Sequence, residues 1–197
     1  MWPSVDRNFY RPSRDARKRN GFHVCYAGRV DLANGIGYLR PAWDRLLLPP
    51  AELLLVGEIH PEMRFLLATY ASASAKTQGW LTPEEVAKRY RESEVSVLPS
   101  VNAGLALALL EAMAAGLPLV ASEMARAADC MSLGGEGRVV RARDLGTLAD
   151  AICWCQSHPD EVKGMGNAAR TRFEKELTLS QYEQRAIALH SSLAGML

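Results

Sequence analysis

The 197-residue chain has no excess charge of either sign and few sulfur ligands. Its 23 basic and 22 acidic residues leave a formal net charge of +1, so no global field favours nucleic acid or an anionic membrane surface. None of the four cysteines forms a C-x-x-C pair, and reduced, buried cysteines of a cytoplasmic protein are expected rather than a zinc site. The ordinary apolar fraction of 48% excludes disordered, collagen-like and coiled-coil classes and predicts one soluble globular domain, with at most an appendage.

Targeting and membrane-spanning segments are not expected either. The N-terminus has no apolar run of the kind that a signal peptide needs. Residues 103–121 are almost wholly apolar and long enough to span a bilayer. However, Glu111 would lie near the bilayer centre, at a cost of about 2.5–3.5 kcal/mol, and Gly116 and Pro118 interrupt the helix. A buried helix followed by a buried strand explains this run better.

Several common catalytic motifs are missing. The sequence has no P-loop, no H-E-x-x-H and no G-x-S-x-G motif. Gly35 and Gly37 begin a G-x-G-x-x-G pattern, but Arg40 occupies the third glycine position, which makes a dinucleotide site a weak hypothesis. The four histidines are scattered. His60 follows a strand end and could face the cleft, but a surface histidine with its hydrogen bonds satisfied is the expectation.

Short apolar runs alternate with helical patterns along the chain. Because the runs are continuous rather than alternating, they predict a parallel sheet that is covered on both faces. The prediction is an α/β, doubly wound, Rossmann-like fold with C-terminal helices. A ligand of such a fold would bind at the carboxyl ends of the strands, in the loops after Gly28, Gly57, Pro99 and Ser122. The predicted strands are 22–28, 53–57, 76–80 (weak), 95–99, 118–121 and 138–140, and the predicted helices are 38–47, 61–72, 82–91, 104–115, 144–157, 159–174 and 180–193.

Composition divides the chain into three segments. Residues 1–20 are polar and basic, and are expected to be a solvated linker rather than a nucleic-acid-binding arm, because few aromatic residues are interspersed. Residues 21–178 form the predicted domain, and residues 179–197 a C-terminal helix.

The segment 97–122 carries the clearest functional pattern, a strand, a small-residue loop, a buried helix and a strand. The helix would begin near Gly104, where free amide groups and the helix dipole suit a phosphate. Glu111 is the only charge in this helix, and an isolated buried carboxylate needs a partner. A pair of sugar hydroxyls would serve, but periodicity equally allows Glu111 to lie on a narrow exposed stripe.

The sequence resembles the donor-binding half of the retaining glycosyltransferases with two Rossmann-like domains (GT-B architecture, family 4 or group 1). The resemblance extends over almost the whole chain, and the run 109–122, LLEAMAAGLPLVAS, is its most specific part. The other matching segments are 3–6 with Phe9, Arg11 and Pro12 (a linker ending in V-D-x-x-x-F-x-P), 26–29, 55–58, 79–81 and 99–100.

This resemblance implies a nucleoside diphosphate sugar as substrate, with no metal and no other cofactor, because cationic side chains and helix amides stabilise the leaving diphosphate. Glu111 would bind the ribose hydroxyls and Arg29 the diphosphate, and amides at the start of the predicted helix would take the remaining phosphate oxygens. The implied donor-binding residues are Gly28, Arg29, Trp80, Ala103, Gly104, Leu105 and Glu111. No catalytic residue is assigned.

The chain departs from the family pattern at three positions. Ala103 stands where the E-x7-E motif has its first glutamate, Asn34 where a phosphate-binding lysine is expected, and Ala106 where the loop has its second glycine. Losing a cation and a sugar-binding carboxylate together is expected to slow transfer by several orders of magnitude.

Two functions therefore stay open. The first is glycosyl transfer (a hexosyltransferase), with this chain as the donor half, inactive alone and dependent on an N-terminal acceptor domain that is a separate chain or is missing from this sequence. The alternative is a degenerate module that binds nucleotide weakly, or only a protein. A cytoplasmic location is expected, with no nucleic-acid partner, and with membrane contact only through a lipid-linked acceptor.

Overall fold

A computed structural model describes residues 5, 8–12, 21–46, 50–102, 107–127, 131–132 and 135–194. The described residues contain a six-stranded sheet in which every neighbouring pair is parallel, in the order β3-β2-β1-β4-β5-β6. The strands are β1 (Phe22–Ala27), β2 (Ala51–Val56), β3 (Ala75–Gln78), β4 (Val95–Leu98), β5 (Leu119–Ser122) and β6 (Gly137–Val140). The predicted doubly wound α/β fold is thus confirmed.

Seven α-helices occur in the described part of the chain. The helix α1 packs against α2 and α5, and α4 packs against α6, so the sheet lies between two helical layers. Every residue of β4 and β5 is buried, as continuous apolar runs require. The helices are α1 (Ile36–Asp44), α2 (Met63–Thr69), α3 (Pro83–Arg91), α4 (Leu107–Ala114), α5 (Leu145–Ser157), α6 (Pro159–Glu176) and α7 (Leu179–Ala194).

Some helices begin or end at other residues than predicted, because local backbone hydrogen bonds rather than the apolar periodicity set their ends. The helix α1 begins at Ile36 because the Gly35 carbonyl accepts the first amide hydrogen bonds, and it ends at Asp44 in a tighter turn, with Pro41 inside it. The helix α2 is shorter than predicted, since Pro61 lies in a preceding turn rather than in the helix. By contrast, Thr82 and Glu85 form the expected capping box of α3.

The described part of the first twenty residues packs on the domain. Val5 forms a parallel bridge with Thr178, and the Tyr10 side chain is only 5% exposed. The sequence predicted a solvated linker here, and that is wrong for Tyr10, whose ring reaches the buried core through contacts that local composition does not encode.

Candidate functional site

A cleft of about 520 Å³ opens at the carboxyl ends of β1, β2 and β4. The strand order reverses between β1 and β4, which is the position at which doubly wound folds bind ligands. Three of the four predicted loops reach it, whereas the described residues of the fourth, 123–127, do not line it. Its described lining residues are Tyr10, Tyr26, Ala27, Gly28, Arg29, Asn34, Val56, Gly57, Glu58, Trp80, Leu81, Pro83, Val86, Leu98, Ser100, Leu107, Ala108 and Glu111.

The loop after β1 places Arg29 at the cleft. Its side chain is 61% exposed, and Nε lies 2.5 Å from Oδ2 of the buried Asp31. Asn34 donates from its backbone amide (2.7 Å) and from Nδ2 (2.9 Å) to Oδ1 of Asp31, and Nδ2 also donates to the Arg29 carbonyl at 3.0 Å. Asn34 therefore stabilises the loop that presents Arg29, a role that the sequence did not indicate.

Asp31 stays ionised beside Arg29. Burial raises the pKa of the Asp31 carboxyl, but the hydrogen bonds from Asn34 and Arg29 outweigh it, so the pKa lies below its ordinary value. The Arg29 charge is consequently compensated within its own loop.

Glu111 enters the cleft from α4, half-buried. Burial raises the pKa of its carboxyl, and a hydrogen bond from the Tyr10 hydroxyl to Oε1, at 3.0 Å, opposes that shift. Of the two placements that periodicity allowed, the structure has the one that faces the cleft. Here the partner that a buried carboxylate requires is a tyrosine.

Tyr10 is a lining residue that contacts Glu111 and that sequence reasoning missed. The resemblance assigns Phe9 to the aromatic position of the V-D-x-x-x-F-x-P pattern, but Phe9 is 42% exposed while Tyr10 is buried. Counting from Val5 and Asp6, the pattern places its aromatic residue at position 10, so the correct spacing was the available signal.

Trp80 lies at the cleft mouth, on the turn after β3, with 74% of its surface exposed. Leu81 follows it on the same wall. Such an exposed indole offers a flat face to a planar ligand.

The remaining predicted residues, Ala103, Gly104 and Leu105, lie outside the described residues. The described helix α4 starts at Leu107, and Leu107 and Ala108 line the cleft, so this end of the helix faces it. His60 is half exposed beside Glu62 and does not line the cleft.

Among the described residues, no cluster of three or more histidine, cysteine, aspartate or glutamate side chains is placed to hold a metal ion. No helix in that part of the chain has the length and hydropathy needed to cross a membrane.

The chain belongs to the group 1 glycosyltransferases. Residues 21–158 match the model of that family, Glycosyl transferases group 1, and the sheet and helices form a GT-B glycosyltransferase-like, Rossmann-like domain. The predicted family is thereby confirmed.

Relatives and solved structures agree with this assignment. The chain is 27% identical over 191 residues to the MMP alpha-(1->4)-mannosyltransferase of Mycolicibacterium hassiacum, covering 94% of this chain and 46% of that protein. The sucrose-phosphate synthase of Thermosynechococcus elongatus superposes with a TM-score of 0.88 at 24% identity (98% and 52% of the two chains). HepE of Anabaena, in complex with UDP, superposes with a TM-score of 0.85 at 19% identity (97% and 57%). The chain spans about half the length of the curated relatives it matches.

Proposed function

We propose that this chain is the donor-binding half of a glycosyltransferase and holds a nucleoside diphosphate sugar in the cleft. The observation that carries the proposal is the placement of the Glu111 carboxylate in the same cleft as Arg29, at the reversal point of the sheet. A carboxylate accepts hydrogen bonds from two neighbouring hydroxyls, and a guanidinium binds phosphate oxygens.

In this arrangement each part of the donor has a defined neighbour. The ribose hydroxyls would donate to Glu111, and the diphosphate would lie between Arg29 and the N-terminal end of α4, where the helix dipole favours negative charge. Trp80 would offer its indole face to the base. These groups would stabilise a diphosphate leaving group by charge and hydrogen bonds, and the cleft volume suits a ligand of this size.

The complex of HepE with UDP supports a nucleotide-binding role for this fold. Transfer to an acceptor would need the other half of the enzyme, because the chain spans about half of its relatives. We therefore also propose that the chain works with an acceptor domain in the cytoplasm, and that it contacts a membrane only through a lipid-linked acceptor.

Replacing Glu111 by alanine is expected to weaken nucleotide-sugar binding tenfold or more. A hydrogen bond to a charged group contributes about 1.5–3 kcal/mol, and about 1.4 kcal/mol corresponds to tenfold in affinity. Isothermal titration with UDP-, GDP- and ADP-sugars measures the effect, with Glu161→Ala on the exposed side of α6 as the control glutamate. If the wild-type chain binds none of these donors, the proposal is wrong.

A second function is supported by the charge inventory of the cleft. Among the described lining residues Arg29 is the sole basic side chain, and Asp31 already compensates it, while Glu58 adds a negative charge. Asn34 stands where the family has its lysine and is engaged in the loop. These features favour a degenerate module that binds nucleotide weakly, or only a protein partner.

Restoring the family residues separates the two functions. The double variant Ala103→Glu with Asn34→Lys is expected to bind a nucleotide sugar about tenfold more tightly, since one added charge-assisted hydrogen bond is worth ~1.5 kcal/mol or more. Comparing the affinity for the sugar nucleotide with the affinity for the free nucleotide isolates the contribution of the sugar to binding. Asn34→Ala is the control, because it removes the loop hydrogen bonds without adding charge. An unchanged affinity would contradict the proposed alignment of the two positions.

A further inference from the structure

The N-terminal segment, residues 8–12, contributes Tyr10 to the lining of the cleft. Tyr10 inserts there, and its hydroxyl donates to Oε1 of Glu111 at 3.0 Å. The Tyr10 ring is tilted at 56° to that of the buried Tyr90, with 6.2 Å between the ring centroids. Tyr10 and Glu111 are 101 residues apart in the chain, so their contact depends on how the segment is held on the domain.

Arg170 of α6 holds the backbone of this segment. Its Nη1 donates to the Tyr10 carbonyl at 2.9 Å and also to the Ala114 carbonyl at the end of α4. Glu174 fixes the guanidinium, with Oε1 2.7 Å from Nη2. A side chain on α6 therefore joins the segment to the helix that carries Glu111, and this contact helps to place Tyr10 beside that carboxylate.

The hydroxyl of Tyr10 acts as a donor. Burial, followed by the neighbouring charge of Glu111, raises the pKa of the phenol. Other titratable groups near the pair are Tyr90 on α3, whose hydroxyl donates to the Ala108 carbonyl, and Glu84, whose charge acts on Tyr10. Tyr26, Arg29 and Glu58 line the same cleft. A phenol that stays protonated occupies one lone pair of Oε1 and fixes the orientation of the carboxylate.

We propose that Tyr10 is a positioning residue for Glu111: its hydroxyl holds Oε1, favours the ionised carboxylate and leaves Oε2 to accept the hydroxyls of the ligand. This inference rests on the proposed function, which makes Glu111 the ribose-binding group. It gives the N-terminal segment a direct role in the donor site.

Tyr10→Phe is expected to raise the titration midpoint of Glu111 by about one pH unit, because it removes the hydrogen bond that favours the ionised form. NMR of the ligand-free chain labelled with [13Cδ]glutamate measures the midpoint, with the signal assigned by its loss in Glu111→Gln. Tyr70→Phe, outside the lining residues of the cleft, is the control and should leave the midpoint unchanged. Equal midpoints in Tyr10→Phe and the wild type would overturn the inference.

Nucleotide binding gives a second measurement. UDP affinity is expected to fall as the pH drops through the Glu111 midpoint. In Tyr10→Phe this fall should begin about one pH unit higher, so that on the acidic side the variant binds UDP roughly tenfold more weakly than the wild type. A purely structural tyrosine would lower thermal stability without moving either profile. If the NMR shift appears but the wild-type chain binds no UDP, the proposed function is wrong while the positioning of Glu111 stands.

The wild-type chain keeps the inference testable even if Tyr10→Phe does not fold. With [13Cζ]tyrosine labelling, the Tyr10 resonance should follow the Glu111 titration, since the hydrogen bond weakens when the carboxylate is protonated. A tyrosine spectrum in which no resonance moves with that midpoint would overturn the inference.

Discussion

Replacing Gly57 by alanine is expected to destabilise the domain by about 3–5 kcal/mol. Gly57 directly follows β2 with φ at +138°, which an L-residue rarely adopts, and an added Cβ would lie 2.0 Å from the Gly28 carbonyl oxygen. That oxygen belongs to the backbone of the neighbouring strand end, so no side-chain rotation relieves the overlap. The β1 and β2 loops would have to separate, at the place where the cleft presents Arg29.

Thermal and chemical denaturation measure this loss, which corresponds to a fall in melting temperature on the order of 10 °C for a domain of this size. Gly79→Ala is the matched control. Gly79 accepts the Gly57 amide hydrogen bond at 3.0 Å, yet a Cβ there would meet nothing within 4 Å. We expect the control to stay within about 0.5 kcal/mol of the wild type, and equal losses in the two variants would contradict the steric argument.

Gly166→Ala is expected to cost about 2–4 kcal/mol by forcing apart two packed elements. Gly166 lies on α6, where this helix crosses the turn after α4, and an added Cβ would lie 2.3 Å from the Gly116 carbonyl oxygen. Gly116 has φ at +76° and Pro118 follows, which leaves this turn little freedom to move. The same helix carries Arg170, so displacing it also disturbs the N-terminal segment.

The control is Gly164→Ala, two residues earlier on the same helix. A Cβ at Gly164 would meet nothing within 4 Å, and alanine is a better helix former than glycine by about 0.8–1.0 kcal/mol. The two substitutions are therefore expected to change the free energy of unfolding in opposite directions. Urea titration of the pair tests this, and a loss of stability at position 164 would be inconsistent with an open site there.

Local patterning predicted the architecture because apolar periodicity and turn residues are short-range properties. The continuous runs that became β1, β2, β4 and β5 indicated parallel strands, and the Thr82–Glu85 capping box located the start of α3. The run 109–122 indicated the family. It also placed Glu111 on a buried helix, but left its direction open, because α4 is apolar on nearly every side and periodicity has no polar face to orient it.

The contacts that define the cleft join distant parts of the chain. Tyr10 and Glu111 are 101 residues apart, and Arg170 is 160 residues from Tyr10, whose carbonyl it binds. No sequence spacing relates such positions, because their contact depends on how α4 packs against α6 and on where the N-terminal segment packs on the domain. The amino-acid pattern thus accounts for the family, the parallel sheet and the cleft at the carboxyl ends of the strands, while only the tertiary packing gives Glu111 its tyrosine partner.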